Sequence, residues 1–231
     1  MSMCKKFSTT KVFIVIPAYN EDHTIGDLVC ELHALYDYPV VVVNDNSIDC
    51  TSIEARKAGA YVLDMPVHLG AWCCMQAGMS FSVDHGADLI VTMDADGQHH
   101  PCDVDVLVQS ILSSSADMVI GSCVRRGSAA RKLAWTYFRK LGKIKYADVT
   151  SGFRVYNLKA TKIVIDKNFA LLDHQDMGVI MALDAKGLQI IEQDVEMQCR
   201  ICGKSRVFSS WPKTLGYMIA TTLFVVSKRH Y

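Results

Sequence analysis

The feature that most restricts the fold of this 231-residue chain is the rhythm of its first half. Short apolar, β-branched runs alternate there with helical stretches. Residues 12–16 predict a buried strand, and residues 21–35 a helix with Ile25, Leu28, Val29 and Leu32 at helical spacing. Residues 40–43 predict a second strand, and Asp49 is placed to cap a helix that runs to Lys57 and ends at Gly59. Further strands are predicted at 61–63, 89–93 and 118–121, with helices over 71–83 and near 104–112. Strands separated by helices imply an α/β fold: a mostly parallel sheet flanked by helices on both faces. Ligands of such sheets sit beyond the carboxyl ends of the strands. Polar clusters follow three of the strands, at residues 17–21, 44–47 and 94–98, so the pattern points to one site built from three loops.

The second half is less regular. A basic amphipathic stretch runs from about Gly127 to Lys145, and residues 148–154 read as a polar turn. Helices are expected near 158–165 and 176–186, an apolar strand from Leu188, and a helix-like segment over 211–227. The length suits one domain with a single core. Neither a repeat nor a Pro- or Gly-rich linker divides the chain. The expected organisation is a donor half of about residues 8–125 and an acceptor half of about 126–231 ending in an apolar helix.

Composition narrows the function. Half the residues are hydrophobic and 21% are charged, which excludes a disordered chain. A formal net charge of zero removes any overall bias toward nucleic acid. The polar first ten residues and the short apolar run after them do not form a secretory signal. Nine irregularly spaced cysteines fit reduced thiols in a cytoplasmic protein better than a disulfide framework. Cys199-x-x-Cys202 stands without a second pair, so it reads as structural or incidental rather than as a zinc site.

The sharpest chemical signal is Met93-Asp94-Ala95-Asp96-Gly97-Gln98. If the turn keeps the alternation of a strand, Asp94, Asp96 and Gln98 project to one side. Three hard oxygen donors suit Mg²⁺ or Mn²⁺, with water and phosphate completing the shell. The plainer reading is an acidic turn with Asp96 as a helix cap. His99 and His100 follow directly, as ligands or as hydrogen-bonded or solvent-facing histidines.

Around this motif stand Pro17-Ala18-Tyr19-Asn20-Glu21, Val43-Asn44-Asp45-Asn46-Ser47, His68-Leu69-Gly70 and Gln76-Ala77-Gly78. Downstream come Gly121-Ser122, Ser151-Gly152-Phe153-Arg154 and Gly203-Lys204-Ser205-Arg206. Together they make the chain similar to family 2 glycosyltransferases, in the branch of dolichol-phosphate mannosyltransferase and bacterial polyprenyl-phosphate sugar transferases. The likeness covers nearly the whole chain. It implies a GT-A, Rossmann-like fold, a nucleotide diphosphate sugar donor, a divalent metal and inversion at the anomeric carbon. By position it puts Pro17, Tyr19, Glu21, Asp94 and Gly121 around the donor. Asp45 falls on the carboxylate that accepts from a base N–H. Asp94, Asp96 and Gln98 fall on the metal and diphosphate motif, and residues 151–154 on the acceptor-side turn. Asp96, Arg154 and Asp176 are the implied catalytic groups, with Asp176 the general base for a hydroxyl acceptor. Asn44 stands where the family commonly has a second acid. Arg206 stands where it usually has lysine, which keeps the charge and adds bidentate phosphate geometry.

The acceptor is read from the second half. Between Asp117 and Asp148 there is no acid, while Arg125, Arg126, Arg131, Lys132, Arg139, Lys140, Lys143 and Lys145 alternate with aromatic and aliphatic residues. This is either a solvated helix face or, the favoured reading, a surface for anionic lipid or a phosphate-bearing acceptor. Arg126, Arg154 and Arg206 are the expected phosphate ligands. Residues 214–226 are apolar almost all round; at ~1.5 Å per residue they span about 20 Å, short of a ~30 Å hydrocarbon core. Such a helix is expected in the core, in the membrane interface, or against a membrane-protein partner or a second copy of the chain. The expected location is cytoplasmic and peripheral on the inner face of a membrane, with a polyprenyl phosphate as acceptor. The alternatives are a saccharide acceptor in cell-envelope synthesis and a non-catalytic nucleotide-sugar-binding subunit.

Overall fold

Phe13 and Val15 point to one side of the first strand and Ile14 and Ile16 to the other, yet all four are buried. Burial on both faces is what continuous β-branched runs encode, and it makes them the centre of a covered sheet. The computed structural model describes residues 10–123, 136–137, 144–166, 175–197 and 222. In chain order the elements are β1 (Val12–Ala18), α1 (Ile25–Leu35), β2 (Val40–Asn44), α2 (Thr51–Lys57), β3 (Tyr61–Asp64), α3 (Ala71–Asp84) and β4 (Leu89–Thr92). They continue with α4 (Asp103–Ser113), β5 (Met118–Ser122), β6 (Arg154–Asn157), α5 (Leu158–Val164), α6 (Gln175–Ala185) and β7 (Ile190–Asp194). The strands form one seven-stranded sheet in the order β3-β2-β1-β4-β6-β5-β7. β1 to β4 run parallel, β6 is antiparallel to both its neighbours, and β7 is parallel to β5.

One core lies between the sheet and α3, α5 and α6, around Val15, Val43, Met79, Ile90, Tyr156 and Leu183. The other lies under α1 and α4, around Ile14, Val42, Leu32, Val91, Leu107 and Val155. Helix α3 sits directly on β1 and β2: a Cβ on Gly78 would lie 2.5 Å from Val15 Cγ1 and 2.9 Å from Val43 Cγ2. Only a glycine lets the helix approach so closely, and that approach sets where the N-terminus of α3 falls.

Two expected elements need correction. Residues 21–24 form a turn ahead of α1 rather than its first turn, with the Glu21 amide on Thr51 Oγ1 and Thr24 Oγ1 on Ala95 O. Arg154 does not end a polar turn; it opens β6, a strand missing from the sequence reading. This strand places the second half of the chain inside the sheet, with Arg154 level with Thr92 of β4 and Ile120 of β5.

Asp117 ties β5 to its surroundings. It accepts from Asn157 Nδ2 and the Gln189 amide, both at 2.9 Å, with Lys159 Nζ 3.5 Å away. Burial alone would raise its pKa, but the bonds from Asn157 and Gln189 and the Lys159 charge hold it below the ordinary 3.8. A depressed folded pKa contributes stability above the unfolded value that is lost as pH falls through the folded one. Asp117→Asn therefore destabilises the chain at pH 7, and the gap to the parent closes below about pH 4. Urea melts of both proteins at pH 7 and pH 3 check this; a constant gap refutes it.

Candidate functional site

The loops that follow β1, β2, β3 and β4 are bonded to one another at the carboxyl edge of the sheet. Asn20, at φ 54°, and Asn46, at φ 58°, take the left-handed turns that bring the first two loops together. The Asn20 amide donates to Ser47 Oγ at 2.9 Å, and Asn20 Oδ1 accepts from the Ile48 amide at 3.0 Å. The Glu21 amide donates to Thr51 Oγ1 at 2.8 Å, and Asp49 accepts from the Thr51 amide at 3.0 Å. The N-cap position of α2, expected at Asp49, falls to Cys50, with no side-chain cap bond. Thr24 Oγ1 then donates to Ala95 O at 2.8 Å, joining the β1 loop to the acidic motif. Asn44 donates through Nδ2 to Asp64 Oδ1 at 2.8 Å and accepts from the Ser47 amide. Burial pushes Asp64 upward, but hydrogen bonds from Asn44, Ser52 and Arg56 bring its carboxyl below the usual range. An aspartate at 44 would set two anions face to face there, which is the physical account of asparagine at this position.

Asp45 is 2% exposed. Its two oxygens accept the Leu69 amide at 2.7 Å and the Gly70 amide at 2.9 Å, and His68 Nδ1 lies 2.9 Å from Oδ2. The His68 ring packs on Tyr19 with centroids 4.3 Å apart. Beneath them burial pushes the Cys74 thiol well up, with the Asp45 charge adding to the effect. In this structure Asp45 thus anchors the entry to α3 and turns His68 toward Tyr19.

The acidic motif leaves β4 at Asp94, whose side chain is 42% exposed. A Cβ on Gly152 would lie 3.0 Å from Asp94 Oδ1 and 3.1 Å from Oδ2, so the acceptor-side turn rests on this carboxylate. Thr92 Oγ1 holds that turn by donating to Gly152 O at 2.8 Å. Glu192 of β7 holds its start, accepting the Ala147 and Asp148 amides at 2.9 Å. Asp96 is buried and its Oδ1 accepts the Gln98 amide at 3.1 Å, a local turn made possible by Gly97 at φ 71°. Gln98 is half-buried. His99 is buried, with Nε2 3.4 Å from Asp94 Oδ2 and its ring 4.8 Å from that of Phe153.

The structure therefore gathers Tyr19, Glu21, Asp45, Asp94, Asp96 and Gln98 on the loops at one edge of the sheet, while Pro17 is buried inside β1 opposite Val43. Gly121 lies within β5, where its amide donates to Phe153 O at 2.8 Å and the Phe153 ring occupies the space of a Cβ. Arg154, expected on an acceptor surface, is 3% exposed, and its Nη2 donates to Val149 O at 3.3 Å. It braces the turn that carries Gly152. Asp176 falls in the first turn of α6. Arg126, Arg206, most of the basic stretch, the cysteine pair and nearly all of the apolar C-terminal segment lie outside the described residues. Among the described residues no helix is long and apolar enough to cross a membrane.

A mostly parallel sheet with its loops joined over one carboxyl edge, and an acidic motif after a central strand, defines a GT-A fold. Structures with this architecture include glucosyl-3-phosphoglycerate synthase from Mycobacterium tuberculosis with Mn²⁺, UDP and phosphoglyceric acid. It matches at a TM-score of 0.72 and 21% identity, over 94% of this chain and 78% of that one. Mannosyl-3-phosphoglycerate synthase from Rubrobacter xylanophilus matches at 0.66 and 16%, over 95% and 74%. The chain belongs to glycosyl transferase family 2, whose model matches residues 13–170, and it is a glycosyltransferase. It is 33% identical to the dolichol-phosphate mannosyltransferase of Pyrococcus furiosus over 89% of this chain and 56% of that protein. It is 28% identical to the polyprenol monophosphomannose synthase of Mycolicibacterium smegmatis, over 64% and 62%. An uncharacterized protein of Methanocaldococcus jannaschii is 30% identical over 71% and 72%. The chain thus spans 56% of the Pyrococcus enzyme and 62% of the Mycolicibacterium one. The dolichol-phosphate mannosyltransferase branch expected from the motifs is the one these relatives occupy, and the non-catalytic reading falls away.

Proposed function

We propose that the chain transfers a sugar, with inversion, from a nucleotide diphosphate donor to a polyprenyl phosphate. The observation that carries the acceptor is the set of relatives named for such lipids, including an undecaprenyl-phosphate mannosyltransferase from Micrococcus luteus at 28% identity. The donor lies across the loop edge, its base toward Tyr19 and the Asp45–His68 pair and its diphosphate toward Asp94 and Asp96. Residues 8–125 supply this half of a single domain, and residues 126–231 supply the acceptor half, although β6 and β7 of that half complete the donor sheet.

The residues present fit a divalent cation. Asp94 offers a half-exposed carboxylate beside a glycine that leaves it room, and Asp96 and Gln98 add hard oxygens. Among the described residues no three His, Cys, Asp or Glu converge on one point. Mg²⁺ or Mn²⁺ is commonly held by one or two carboxylates together with phosphate and water. When bound, the cation would neutralise charge growing on the departing diphosphate.

In the transfer an acceptor oxygen bonds to the anomeric carbon as the bond from that carbon to the nucleoside diphosphate breaks. A lipid phosphate oxygen is already ionised at neutral pH and needs no strong base, so Asp176 is dispensable for it. Arg126 and Arg206 hold the phosphate, and Arg154 keeps the intervening turn in place. The basic stretch brings the protein to the membrane surface, each basic residue adding about 1 kcal/mol of attraction to anionic lipid.

Radiolabelled nucleotide sugars, offered with polyprenyl phosphate in anionic vesicles, should give lipid-extractable label. Arg125→Glu/Arg126→Glu should lose at least about tenfold of that transfer while keeping nucleotide binding and donor hydrolysis, since several kcal/mol of surface attraction is reversed. If the parent labels only soluble glycans, or the variant transfers normally, the lipid acceptor is wrong and a saccharide takes its place.

A further inference from the structure

Resting on the donor-site reading above, we propose that Thr24 is a positioning residue for the acidic motif. Its hydroxyl holds the Ala95–Asp96 peptide unit in the orientation that presents the neighbouring carboxylates to the divalent cation. The first sign is a bond that Thr24 does not make. It stands at the N-cap of α1, where a threonine oxygen ordinarily accepts an amide of the first turn, yet no such side-chain bond forms. Its backbone, at φ -121° and ψ -34°, has left the extended conformation from which a capping side chain reaches forward. The hydroxyl donates instead to Ala95 O, 2.8 Å away and 71 residues along the chain. Glu21 O lies 3.2 Å from the same hydroxyl, but it already accepts the Thr24 amide at 3.1 Å and the Ile25 amide at 3.0 Å. A threonine hydroxyl has one hydrogen, and the shorter contact takes it. Among the described residues Ala95 O accepts from no other donor. Both residues are buried, so solvent does not compete for the pair.

A carbonyl and the amide after it form one rigid plane, so a bond to Ala95 O also sets Asp96 N and the base of its side chain. The far side of Asp96 is set by its own Oδ1, which accepts the Gln98 amide at 3.1 Å. Gly97, at φ 71°, gives this stretch the backbone freedom that such a tie removes. The other end of the tie is itself anchored, because Thr24 closes on Glu21 and the Glu21 amide donates to Thr51 Oγ1 at the start of α2. The loop that carries Tyr19 and Glu21 is thereby locked to the segment that carries Asp94 and Asp96. A local helix preference given up for a distant partner marks a functional site. Groups that orient metal ligands from outside the coordination shell typically change metal affinity by about 10–100-fold.

The test is Mn²⁺ binding in the presence of UDP or GDP, read from the electron paramagnetic resonance signal of free Mn²⁺, beside the affinity for the same nucleotides in EDTA. Thr24→Val keeps the shape and removes the hydroxyl hydrogen, Thr24→Ser keeps the hydroxyl and removes the methyl, and Thr24→Ala is a second variant without the hydroxyl. The Val and Ala variants should bind Mn²⁺ about 10–100-fold more weakly, and the Ser variant should stay within a few-fold of the parent. Nucleotide affinity without metal should be unchanged in all three. A role in packing alone would not split the two affinities, since loosened loops lower both together. Equal losses of Mn²⁺ and metal-free nucleotide affinity therefore overturn the assignment. So do parental Mn²⁺ affinity in the Val and Ala variants, a Ser variant as weak as the Val variant, or failure of both hydroxyl-free variants to fold. A parent chain with no nucleotide-dependent Mn²⁺ binding overturns the donor-site reading itself, a result distinct from these.

Discussion

Asp96→Asn should lower turnover by about 100- to 1000-fold with the fold intact, the range for removing one preorganised charge contact from a reacting group. The substitution isolates charge because the structure gives Asp96 a second, neutral task. Its Oδ1 accepts the Gln98 amide, and an asparagine Oδ1 accepts it equally well. The turn at Gly97 therefore survives, and what disappears is the negative charge offered to a cation. Asp96→Ala would remove both and would confuse them. Chelation should abolish activity of the parent, and Mg²⁺ or Mn²⁺ should restore it. Steady-state kinetics of parent and variant over a range of Mn²⁺ concentrations, with circular dichroism as the control on folding, make the measurement. Activity that survives EDTA, or a variant as fast as the parent, removes the metal from this site.

Much of the donor side was legible before any coordinates, for a physical reason. Strands β1, β2, β4 and β5 are buried on both faces, so their sequences carry unbroken apolar runs rich in Val and Ile, and the turns after them carry the polar residues. What escaped depends on partners far along the chain. Arg154-Val155-Tyr156-Asn157 holds only two apolar residues between polar ends; it is a strand because the gap between β4 and β5 accepts it. The turn ahead of α1 carries Thr24, whose hydroxyl bonds Ala95 O, 71 residues away. The task of Asp45 was legible only as a carboxylate beside a base, whereas its bonds to the Leu69 and Gly70 amides appear once β3 and α3 are in place. His99 reads as a ligand or as a hydrogen-bonded or solvent-facing histidine, because nothing local announces that its ring will be buried against that of Phe153. Alternation along the chain predicts Asp94 and Asp96 on one side of the turn. It does not predict that Asp94 stands open while Asp96 is buried.

Gly152→Ala should reduce turnover by a factor comparable to loss of Asp94 itself, about 100-fold, although a methyl group is all that is added. The new Cβ would stand 3.0 Å from Asp94 Oδ1, 3.1 Å from Oδ2 and 3.3 Å from Cγ. Gly152 is not among the positive-φ glycines, so the backbone accepts alanine and the conflict is confined to this contact. One side must yield. The turn is held by Thr92 Oγ1 on Gly152 O, by the buried Phe153 ring and by the pairing of β6 with β4 and β5. Asp94 is the more exposed partner, its side chain 42% open to solvent. The carboxylate should therefore swing out of its position while the fold remains. The melting temperature should change little, and nucleotide affinity without metal should be preserved. A double-mutant cycle isolates this contact: residues in contact couple, so in an Asp94→Asn background the added methyl should cost almost nothing further. Independent, additive losses in the double variant would mean that Gly152 acts on the acceptor rather than through Asp94. Parental turnover in Gly152→Ala would mean that the orientation of this carboxylate does not limit the reaction.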